Sequence, residues 1–385
     1  MKVVVAHNRY RQGQPSGENT IVDLEIEQLR GAGVEVLPFL RSSDDIATLS
    51  PVRKALLPAG PIYAGAAQRE LRALLREHRP DVVHLHNPYP LISPWLVRTA
   101  HSAGVPVVHT VHNYRQVCAA AVYYRDGHVC TDCLGRRLAV PAVVHACYRG
   151  SRAQSAVMAT ALAVHRGTWR SVDRYIALTD AIAEHLRGYG IPADRIVVKP
   201  NSVPDPGPPA PVGDGFLLLG RLVPEKGVGL LLDAWARLEE GSCGVLRVVG
   251  DGPLRALVEE AAAGRRDVVF HGRLDPAGVR VALRESAALV VPSVWHDVLP
   301  TVVLEALAAG RPVLGTDLGG IPSLVGTAGW LVPPHPDALA EALPRARSEA
   351  SSLAPIARAR YESTYRPDVV LARLLAVYQD LRKDG

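Results

Sequence analysis

Arg221 and Lys226 are cations five residues apart in the segment GRLVPEKG, between an apolar run and a helical pattern. A helix N-terminus presents free N–H groups and the positive end of its dipole, so cations beside it predict a phosphate-binding site. Arginine can bind phosphate in bidentate fashion, whereas lysine acts as a mobile point charge. The alternative interpretation is a pair of solvated loop cations.

Asp297 and Glu305 are carboxylates eight residues apart, on either side of an expected helix start. Pro300 and Thr301 are typical of the first helical position, and Gly310 is typical of a C-cap. Glu305 is therefore expected about one turn into the helix, with Asp297 in the preceding loop. Both can accept hydrogen bonds from ribose and sugar hydroxyls, although surface charge is the common alternative at this spacing.

Short apolar runs alternate with helical patterns along the whole chain, and these elements must position the four side chains. The runs are apolar throughout, which is typical of parallel strands covered on both faces. Together with a length of 385 residues, this pattern predicts an α/β protein with two Rossmann-like, doubly wound parallel-sheet domains. Strands are expected at residues 3–7, 34–39, 82–86, 106–111, 175–179, 196–200, 216–221, 245–250, 268–272, 288–294 and 312–317.

The domain boundary is predicted from composition. Residues 200–215 are rich in proline and glycine, which cannot continue a helix or a central strand, so the hinge is expected there. The N-terminal domain is then 1–203 and the C-terminal domain 204–365. An amphipathic helix over 366–385 is expected to pack back on the N-terminal domain.

Four of the five cysteines, Cys118, Cys130, Cys133 and Cys147, fall in one apparent insertion at 118–147. Cys130 and Cys133 form a C-x-x-C pair, which in a cytosolic protein favours zinc or redox chemistry over disulfides. Four thiolates can close a tetrahedral structural zinc site. Reduced, metal-free thiols are the alternative.

Charge and hydropathy restrict the partners and the location. The net charge of +5 suits phosphorylated ligands or an anionic membrane surface, and no basic tail with interleaved aromatics favours nucleic acid. Seven arginines lie between Arg136 and Arg174, where Asp173 is the one acid; a solvated helix surface is the preferred interpretation, and an anionic acceptor or membrane face the alternative. No apolar stretch is long enough to span a membrane, and MKVVVAHN is typical of a strand rather than a signal peptide. A cytoplasmic protein is expected, alone or peripheral at the inner membrane face.

Several segments in this order and spacing resemble glycosyltransferase family 4. They are LGRLVPEKG, VVGDGP, VVFHGR and PSVWHDVLPTVVLEALAAGRPVLGTDLGGIP in the second half, and PSGENTIVDLEIEQLRGAGVEV, RPDVVHLHN and VPVVHTVHNYR in the first. The resemblance implies a GT-B fold, with two domains facing a central cleft. It also implies transfer of a sugar from a nucleoside-diphosphate sugar, most often a UDP-sugar, to an acceptor hydroxyl, with retention of the anomeric configuration. No D-x-D motif is present, which agrees with catalysis that needs no metal cofactor.

The resemblance assigns the donor site to the second half. Arg221 and Lys226 are expected to bind the diphosphate and to assist catalysis, and Glu305 matches the second acid of the E-x(7)-E motif, which holds the ribose. Asp297 stands where the family has a catalytic glutamate and is one methylene shorter. The other expected donor-binding residues are Gly17, Gly250, Gly272, Arg273, Leu274, Thr301, Val302, Gly319 and Gly320.

Acceptor binding is expected in the first half. Ser16 and Gly17 open a helix where the family has a glycine-rich loop, and the expected acceptor-binding residues are Ser16, Gly17, Glu18, Asn113 and Tyr114. His112 ends a strand where the family has a histidine close to the reacting sugar. His84 and His86 form an H-x-H for which a structural role is preferred, because metal binding needs a third partner. The acceptor class is open: a small molecule, a glycan or a lipid-linked sugar.

Three other functions compete with that of a glycosyltransferase. A dehydrogenase is disfavoured because no G-x-G-x-x-G follows the first strand. A nucleotide-sugar epimerase of the same fold has no use for an acceptor cleft. A non-catalytic nucleotide-sugar-binding or regulatory protein stays open, because of the aspartate at 297.

Overall fold

The computed structural model describes residues 1–11, 13, 17–51, 54 and 57–383. The chain divides into two compact units. Unit 1 comprises Met1–Tyr123, Thr131–Lys199 and the chain from Leu371 onward, and unit 2 comprises Tyr124–Cys130 and Pro200–Val370. No helix in the described ranges is long and apolar enough to cross a bilayer.

The strands, in chain order, are β1 Lys2–Arg9, β2 Glu35–Ser42, β3 Val82–Leu85, β4 Val107–Val111, β5 Tyr124–Arg125, β6 His128–Val129, β7 Arg174–Ala177, β8 Ile196–Val198, β9 Phe216–Leu219, β10 Leu246–Val249, β11 Val268–Gly272, β12 Ala288–Val291, β13 Val313–Thr316 and β14 Gly329–Val332. The helices are α1 Gly17–Gly31, α2 Gly65–His78, α3 Trp95–His101, α4 Val140–Val144, α5 Arg152–Val164, α6 Arg166–Arg170, α7 Asp180–Tyr189, α8 Val228–Ala236, α9 Arg255–Gly264, α10 Pro276–Glu285, α11 Thr301–Ala308, α12 Ile321–Val325, α13 Pro336–Thr364 and α14 Pro367–Lys383.

Unit 1 contains a parallel sheet with strand order β2-β1-β3-β4-β7-β8. The chain runs from β1 outward to β2 and then returns to the other side of β1, so the direction of winding reverses between β1 and β3. Both strands are buried on both faces, as their largely apolar sequences predict. The carboxyl ends of β1 and β3 therefore border a crevice of the kind in which α/β sheets bind ligands.

The last helix, α14, completes the core of unit 1. Leu374, Val377 and Tyr378 belong to the same buried cluster as Val3 and Val108. The apolar side chains of α14 thus pack in the same core as side chains of β1 and β4.

Unit 2 contains a second parallel sheet, with strand order β11-β10-β9-β12-β13-β14. Here the winding reverses between β9 and β12. The prediction of two parallel-sheet α/β domains is confirmed by these two sheets. The edge strand β14 was not predicted, because its sequence GWLV is short and lacks a β-branched run.

Residues 200–215, the expected hinge, form neither helix nor strand. Two arginines of unit 2 hold part of this segment. The buried Arg311 guanidinium donates to the carbonyls of Ala210 and Pro211, at 3.2 and 2.7 Å. Arg358 donates to the Asp205 carboxylate at 2.8 Å. The segment is thus fixed to unit 2 from Asp205 to Pro211.

Candidate functional site

An open cavity of about 320 Å³ lies in unit 2 at the point where the winding reverses. Two walls are formed by the end of β9 with the loop that follows it (218–222) and by the end of β12 with the residues that follow it (290–293). Lys226 and the start of α11, at Pro300 and Val302, complete the lining. Ligands of open α/β sheets bind at such reversal points. The cavity is therefore the candidate nucleotide site.

Arg221 and Lys226 both line this cavity. Lys226 ends a single 3₁₀ turn, Pro224–Lys226, immediately before α8. The Arg221 side chain is 58% exposed and its Nη2 lies 3.8 Å from Glu225 Oε1, whereas the Lys226 side chain is 23% exposed. Two cations thus flank a helix N-terminus, as the sequence predicted, with Lys226 the less solvated of the pair.

Glycines allow the loops around the cavity to approach one another closely. Gly227 has φ +70°, and a Cβ there would lie 1.7 Å from the carbonyl oxygen of Pro292. A Cβ at Gly250 would lie 1.8 Å from the carbonyl oxygen of Gly220. Any side chain at either position would displace a wall of the cavity.

Asp297 is buried, and its carboxylate contacts the ammonium group of Lys226. Its backbone carbonyl accepts a hydrogen bond from Gly320 N at 2.7 Å, and Gly319 leaves no room for a side chain against the same backbone. The Lys226 ammonium also lies 5.6 Å from the centre of the Trp295 ring. Asp297 therefore neutralises Lys226, and a diphosphate bound in the cavity would compete with Asp297 for the ammonium.

The start of α11 supplies further donors. Pro300 precedes the helix, and the N–H groups of Thr301 and Val302 have no intrahelical partner by position. Both residues are half-buried. This end of α11 can therefore bind an anion with backbone N–H groups and the helix dipole.

Glu305 lies one turn into α11, where its half-buried carboxyl group has no ion-pair partner in the described part of the chain. Burial raises the pKa of Glu305 to about 7. A buried carboxylate without a protein partner is suited to hydrogen-bond donors from a ligand. Ribose hydroxyls would satisfy it.

The other expected donor residues follow neighbouring strands. Gly272 ends β11 with φ +63°, Arg273 is exposed and Leu274 is half-buried. Gly319 and Gly320 lie between β13 and α12. All five therefore lie at or just beyond the carboxyl ends of the strands of the unit 2 sheet, the edge at which the cavity opens. Gly17, the remaining member, begins α1 in unit 1.

In unit 1, the histidine of interest lies just past the end of β4. His112 Nε2 is 2.9 Å from His86 Nδ1, and the two rings stack with centroids 5.2 Å apart. His86 follows β3, so neighbouring strands bring the two rings together. Burial lowers the pKa of His112 well below its ordinary value and keeps the ring neutral.

Beneath these rings lies a buried polar network. Glu25 Oε2 accepts from Lys199 Nζ at 2.9 Å, and Glu25 Oε1 lies 3.2 Å from both His84 Nδ1 and His86 Nε2. His84 also lies 2.7 Å from the Tyr378 hydroxyl. Sequence analysis missed Glu25 and Lys199; the available signal was a glutamate on the apolar face of α1, among Ile21, Val22, Ile26 and Leu29.

The three groups Glu25, His84 and His86 could also be metal ligands, since their ligand atoms lie within 4.8 Å of one another. The ammonium group of Lys199 already neutralises Glu25, and a cation at this point would face that charge. A hydrogen-bonded network therefore accounts for these residues better than a metal does.

The acceptor-binding residues occupy different surroundings. Ser16 lies outside the described residues. Burial raises the pKa of Glu18 to about 7, and Glu18 Oε2 accepts from the Tyr10 hydroxyl at 3.2 Å. Asn113 Oδ1 accepts from Arg115 N at 3.1 Å. Tyr114 is buried, with its ring centre 4.6 Å from that of Tyr123.

All four clustered cysteines, Cys118, Cys130, Cys133 and Cys147, are half-buried. Within the described ranges, the one group of three or more possible metal ligands is Glu25, His84 and His86, so the structure does not gather the cysteines into such a group. The zinc site stays a prediction. Metal analysis of the purified chain checks it, and the absence of stoichiometric zinc would contradict it.

Comparisons with known proteins agree with this geometry. Residues 213–348 match the family "Glycosyl transferases group 1", and residues 16–202 match the "Glycosyl transferase 4-like domain". Phosphatidyl-myo-inositol mannosyltransferase of Mycobacterium leprae (strain TN) is 26% identical in an alignment 401 residues long, gaps included. The alignment covers 96% of this chain and 95% of that protein.

Solved structures share the fold. Sucrose-phosphate synthase from Thermosynechococcus elongatus has a TM-score of 0.71 and 20% identity, with 100% of both chains covered. HepE of Anabaena, in complex with UDP, has a TM-score of 0.67 and 15% identity, covering 99% of this chain and 100% of that one. Both sheets, the site in unit 2 and the two matched families lead to one assignment. The chain belongs to the family 4-type glycosyltransferases of the GT-B fold.

Proposed function

We propose that this glycosyltransferase moves the sugar of a UDP-sugar to an acceptor hydroxyl with retention of anomeric configuration. The observation that carries the proposal is the unit 2 cavity, where Arg221, Lys226 and the start of α11 surround a space suited to a diphosphate. The free carboxyl of Glu305 on the same helix suits the ribose. UDP is supported by the complex of the Anabaena neighbour with that nucleotide.

The reaction would join the acceptor oxygen to the anomeric carbon and break the bond from that carbon to the phosphate oxygen. Negative charge then grows on the leaving diphosphate, where Arg221, Lys226 and the amides of α11 lower the barrier. In same-face attack, the leaving phosphate takes the acceptor proton. These cations and amides do the work that a divalent metal does elsewhere, so we propose that no metal is required.

The test is a panel of nucleoside diphosphates and their sugars, assayed with the full chain by thermal shift and by nucleotide release with sugar and glycan acceptors. We expect UDP to raise Tm and one UDP-sugar to release UDP. If no nucleotide raises Tm, the assignment of the unit 2 cavity as the donor site is wrong. Binding of a nucleotide sugar without turnover, with every acceptor class tried, would favour the non-catalytic alternative.

The pH dependence of nucleotide binding should report on Glu305. Because burial raises its pKa to about 7, the group is mostly protonated at pH 6 and mostly ionised at pH 8. Hydroxyl donors favour the ionised form, so UDP should bind about tenfold more tightly at pH 8 than at pH 6. Isothermal titration calorimetry at both pH values measures this change.

The control for this experiment is Glu305→Gln, in which only the ionisation of UDP itself contributes to the pH dependence. An equal change of UDP affinity with pH in wild type and Glu305→Gln would contradict the assignment of Glu305 to the ribose.

The raised pKa of Glu305 also affects stability. Glu305 should lower the free energy of unfolding as pH rises from the ordinary carboxyl range to about 7, because the carboxyl group ionises first in the unfolded chain.

Asp297→Asn should separate binding from turnover. Removing the carboxylate frees the Lys226 ammonium for phosphate, so we expect UDP to bind roughly threefold to tenfold more tightly, about 1 kcal/mol. Turnover should fall, because the charge proposed to lie beside the donor sugar is lost. Asp337→Asn, which removes an exposed carboxylate paired with Arg237, is the control. Weaker UDP binding in Asp297→Asn would sink the competition between Asp297 and the diphosphate.

We also propose that unit 1 makes a peripheral contact with anionic lipid. Leu134, Arg136, Arg137 and Arg166 line one surface depression of about 470 Å³. Exposed arginines beside exposed apolar side chains are typical of interfacial binding. The apolar side chains that are more than a third exposed in this region are Leu134, Leu138, Val140, Val144 and Val164.

The membrane contact is tested with vesicles of phosphatidylcholine containing phosphatidylglycerol. Val140 and Val144 lie four residues apart on α4 and are 54% and 55% exposed. The double variant Val140→Glu/Val144→Glu should bind these vesicles about tenfold more weakly, since it adds two charges and removes apolar contact. In Val269→Glu/Val281→Glu, which alters exposed valines of unit 2, binding should be unchanged. An equal loss of vesicle binding in both double variants would contradict the proposal that this surface of unit 1 contacts the membrane.

A further inference from the structure

A chain of polar groups leads from the interior of unit 1 to His112. His112 Nε2 lies 2.9 Å from His86 Nδ1. His86 Nε2 lies 3.2 Å from Glu25 Oε1. Glu25 Oε2 accepts from Lys199 Nζ at 2.9 Å. We name these four residues the Lys199–His112 chain. Its inner members are buried, and His112 is half-buried.

The direction of each hydrogen bond follows from the charge on Glu25. Burial acts to raise the pKa of Glu25, but the ammonium of Lys199 and the two histidines hold it well below its ordinary range. An ionised carboxylate only accepts hydrogen bonds. His86 Nε2 is buried and lies 3.2 Å from Glu25 Oε1, although neither atom makes a hydrogen bond of good geometry among the described residues. A lone pair on Nε2 would be repelled by the carboxylate, whereas an N–H there would be attracted to it. The ring proton of His86 therefore belongs on Nε2, facing Glu25.

That assignment fixes the tautomer of His112. A neutral imidazole carries one N–H, so a His86 ring protonated on Nε2 presents Nδ1 as an acceptor. The proton in the His112–His86 bond must then come from His112 Nε2. This leaves His112 Nδ1 with a lone pair and no proton.

A purely structural role does not account well for this arrangement. Glu25 and Lys199 are both charged and are 6% and 2% exposed. Burying an ion pair costs desolvation that their attraction barely offsets, and apolar residues of the same size are often as stabilising. The pair does have one directional effect, which is to orient the proton on His86.

We propose that Glu25 is a positioning residue that acts through His86 to hold His112 in the Nε2–H tautomer, with Nδ1 free to accept a hydrogen bond from a substrate hydroxyl. The inference rests on the proposed function and on the family resemblance, which implies that His112 lies close to the reacting sugar. A fixed acceptor orients that hydroxyl without the cost of selecting a tautomer at each turnover.

The test is long-range ¹H–¹⁵N NMR of the full, unliganded chain labelled with ¹⁵N-histidine at pH 7.5. His112→Gln assigns the signals by their loss. We expect wild-type His112 to show a protonated Nε2 and an unprotonated Nδ1. Glu25→Leu/Lys199→Met removes the acceptor and both charges together, and His112 should then show a mixture of tautomers. In the same variant, kcat should fall about tenfold while KM for the donor changes less than twofold.

Two further variants separate positioning from folding. Glu25→Gln/Lys199→Met keeps a carbonyl acceptor for His86, so it should restore the wild-type tautomer and most of kcat. Tyr378→Phe removes a hydroxyl that bonds only His84 within the network, so the His112 signals should not change. A wild-type His112 protonated on Nδ1, or a Glu25→Leu/Lys199→Met variant that keeps the pure Nε2–H form, would overturn the proposal.

The NMR measurement needs no substrate, so it is independent of the proposed transfer reaction. If the tautomer behaves as expected but no nucleotide sugar is turned over, the proposed function fails and the control of the tautomer stands. If sugar is transferred while the His112 tautomer ignores Glu25, only this inference fails.

Discussion

Replacing Lys226 with alanine should lower kcat/KM for sugar transfer by roughly 30- to 1,000-fold, equivalent to about 2–4 kcal/mol of lost charge stabilisation. The Lys226 side chain lines the cavity and is less exposed than that of Arg221, so solvent screens its attraction to a bound diphosphate less. Arg221→Ala should have a smaller effect, of at least about tenfold, because its side chain is 58% exposed. Steady-state rates with the active UDP-sugar measure both effects.

Arg237→Ala provides the control for these two variants. Arg237 is a 49% exposed cation of the same unit, paired with Asp337. Its loss should change kcat/KM less than twofold, since exposed pairs contribute little. Unchanged kinetics in both Lys226→Ala and Arg221→Ala would show that the diphosphate does not bind in this cavity.

Gly227→Ala should destabilise unit 2 by about 3 kcal/mol and abolish nucleotide binding. A Cβ would lie 1.7 Å from the Pro292 carbonyl oxygen, and φ is +70°. Overpacking and a left-handed alanine each cost about 1–3 kcal/mol. In a unit of this size, Tm should fall by about 6–12 °C. Thermal unfolding with and without UDP measures both the loss of stability and the loss of the ligand-induced shift.

Gly229→Ala is the matched control, two residues further along in α8. Its Cβ would meet nothing closer than Leu257 at 4.0 Å. Alanine is favoured over glycine inside a helix by about 0.5–1 kcal/mol, so Tm should stay equal or rise slightly. If the two alanine variants had the same Tm, the close approach of Gly227 to Pro292 would not be a constraint.

The donor half of the site could be predicted from the sequence because its residues lie within short segments of fixed order. Arg221 and Lys226 share one loop, and Glu305 follows a clear helix start. Local patterns place such residues after strands, and the parallel sheet then brings the carboxyl ends of those strands together. The Lys226–Asp297 contact was not predicted, because it joins residues 71 positions apart.

The polar network of unit 1 was less accessible to sequence analysis. Glu25 and Lys199 are 174 residues apart, and Glu25 is the one charged residue among the buried residues of α1. Pattern analysis identifies such a charge as unusual but cannot name its partner. Only the packing of α1 against the sheet shows that the two charges meet, and that His86 connects them to His112.

The position of α14 has a consequence for how the chain is made. A ribosome releases β1 to β8 first, then all of 200–370, and only then Leu374, Val377 and Tyr378. Domains generally fold as units during synthesis, N-terminal first. Here the core of unit 1 cannot close until α14 has emerged, whereas unit 2 has its whole sequence by Val370. Unit 1 should therefore finish folding after unit 2, and His84 receives its tyrosine partner only once all of unit 2 has been synthesised.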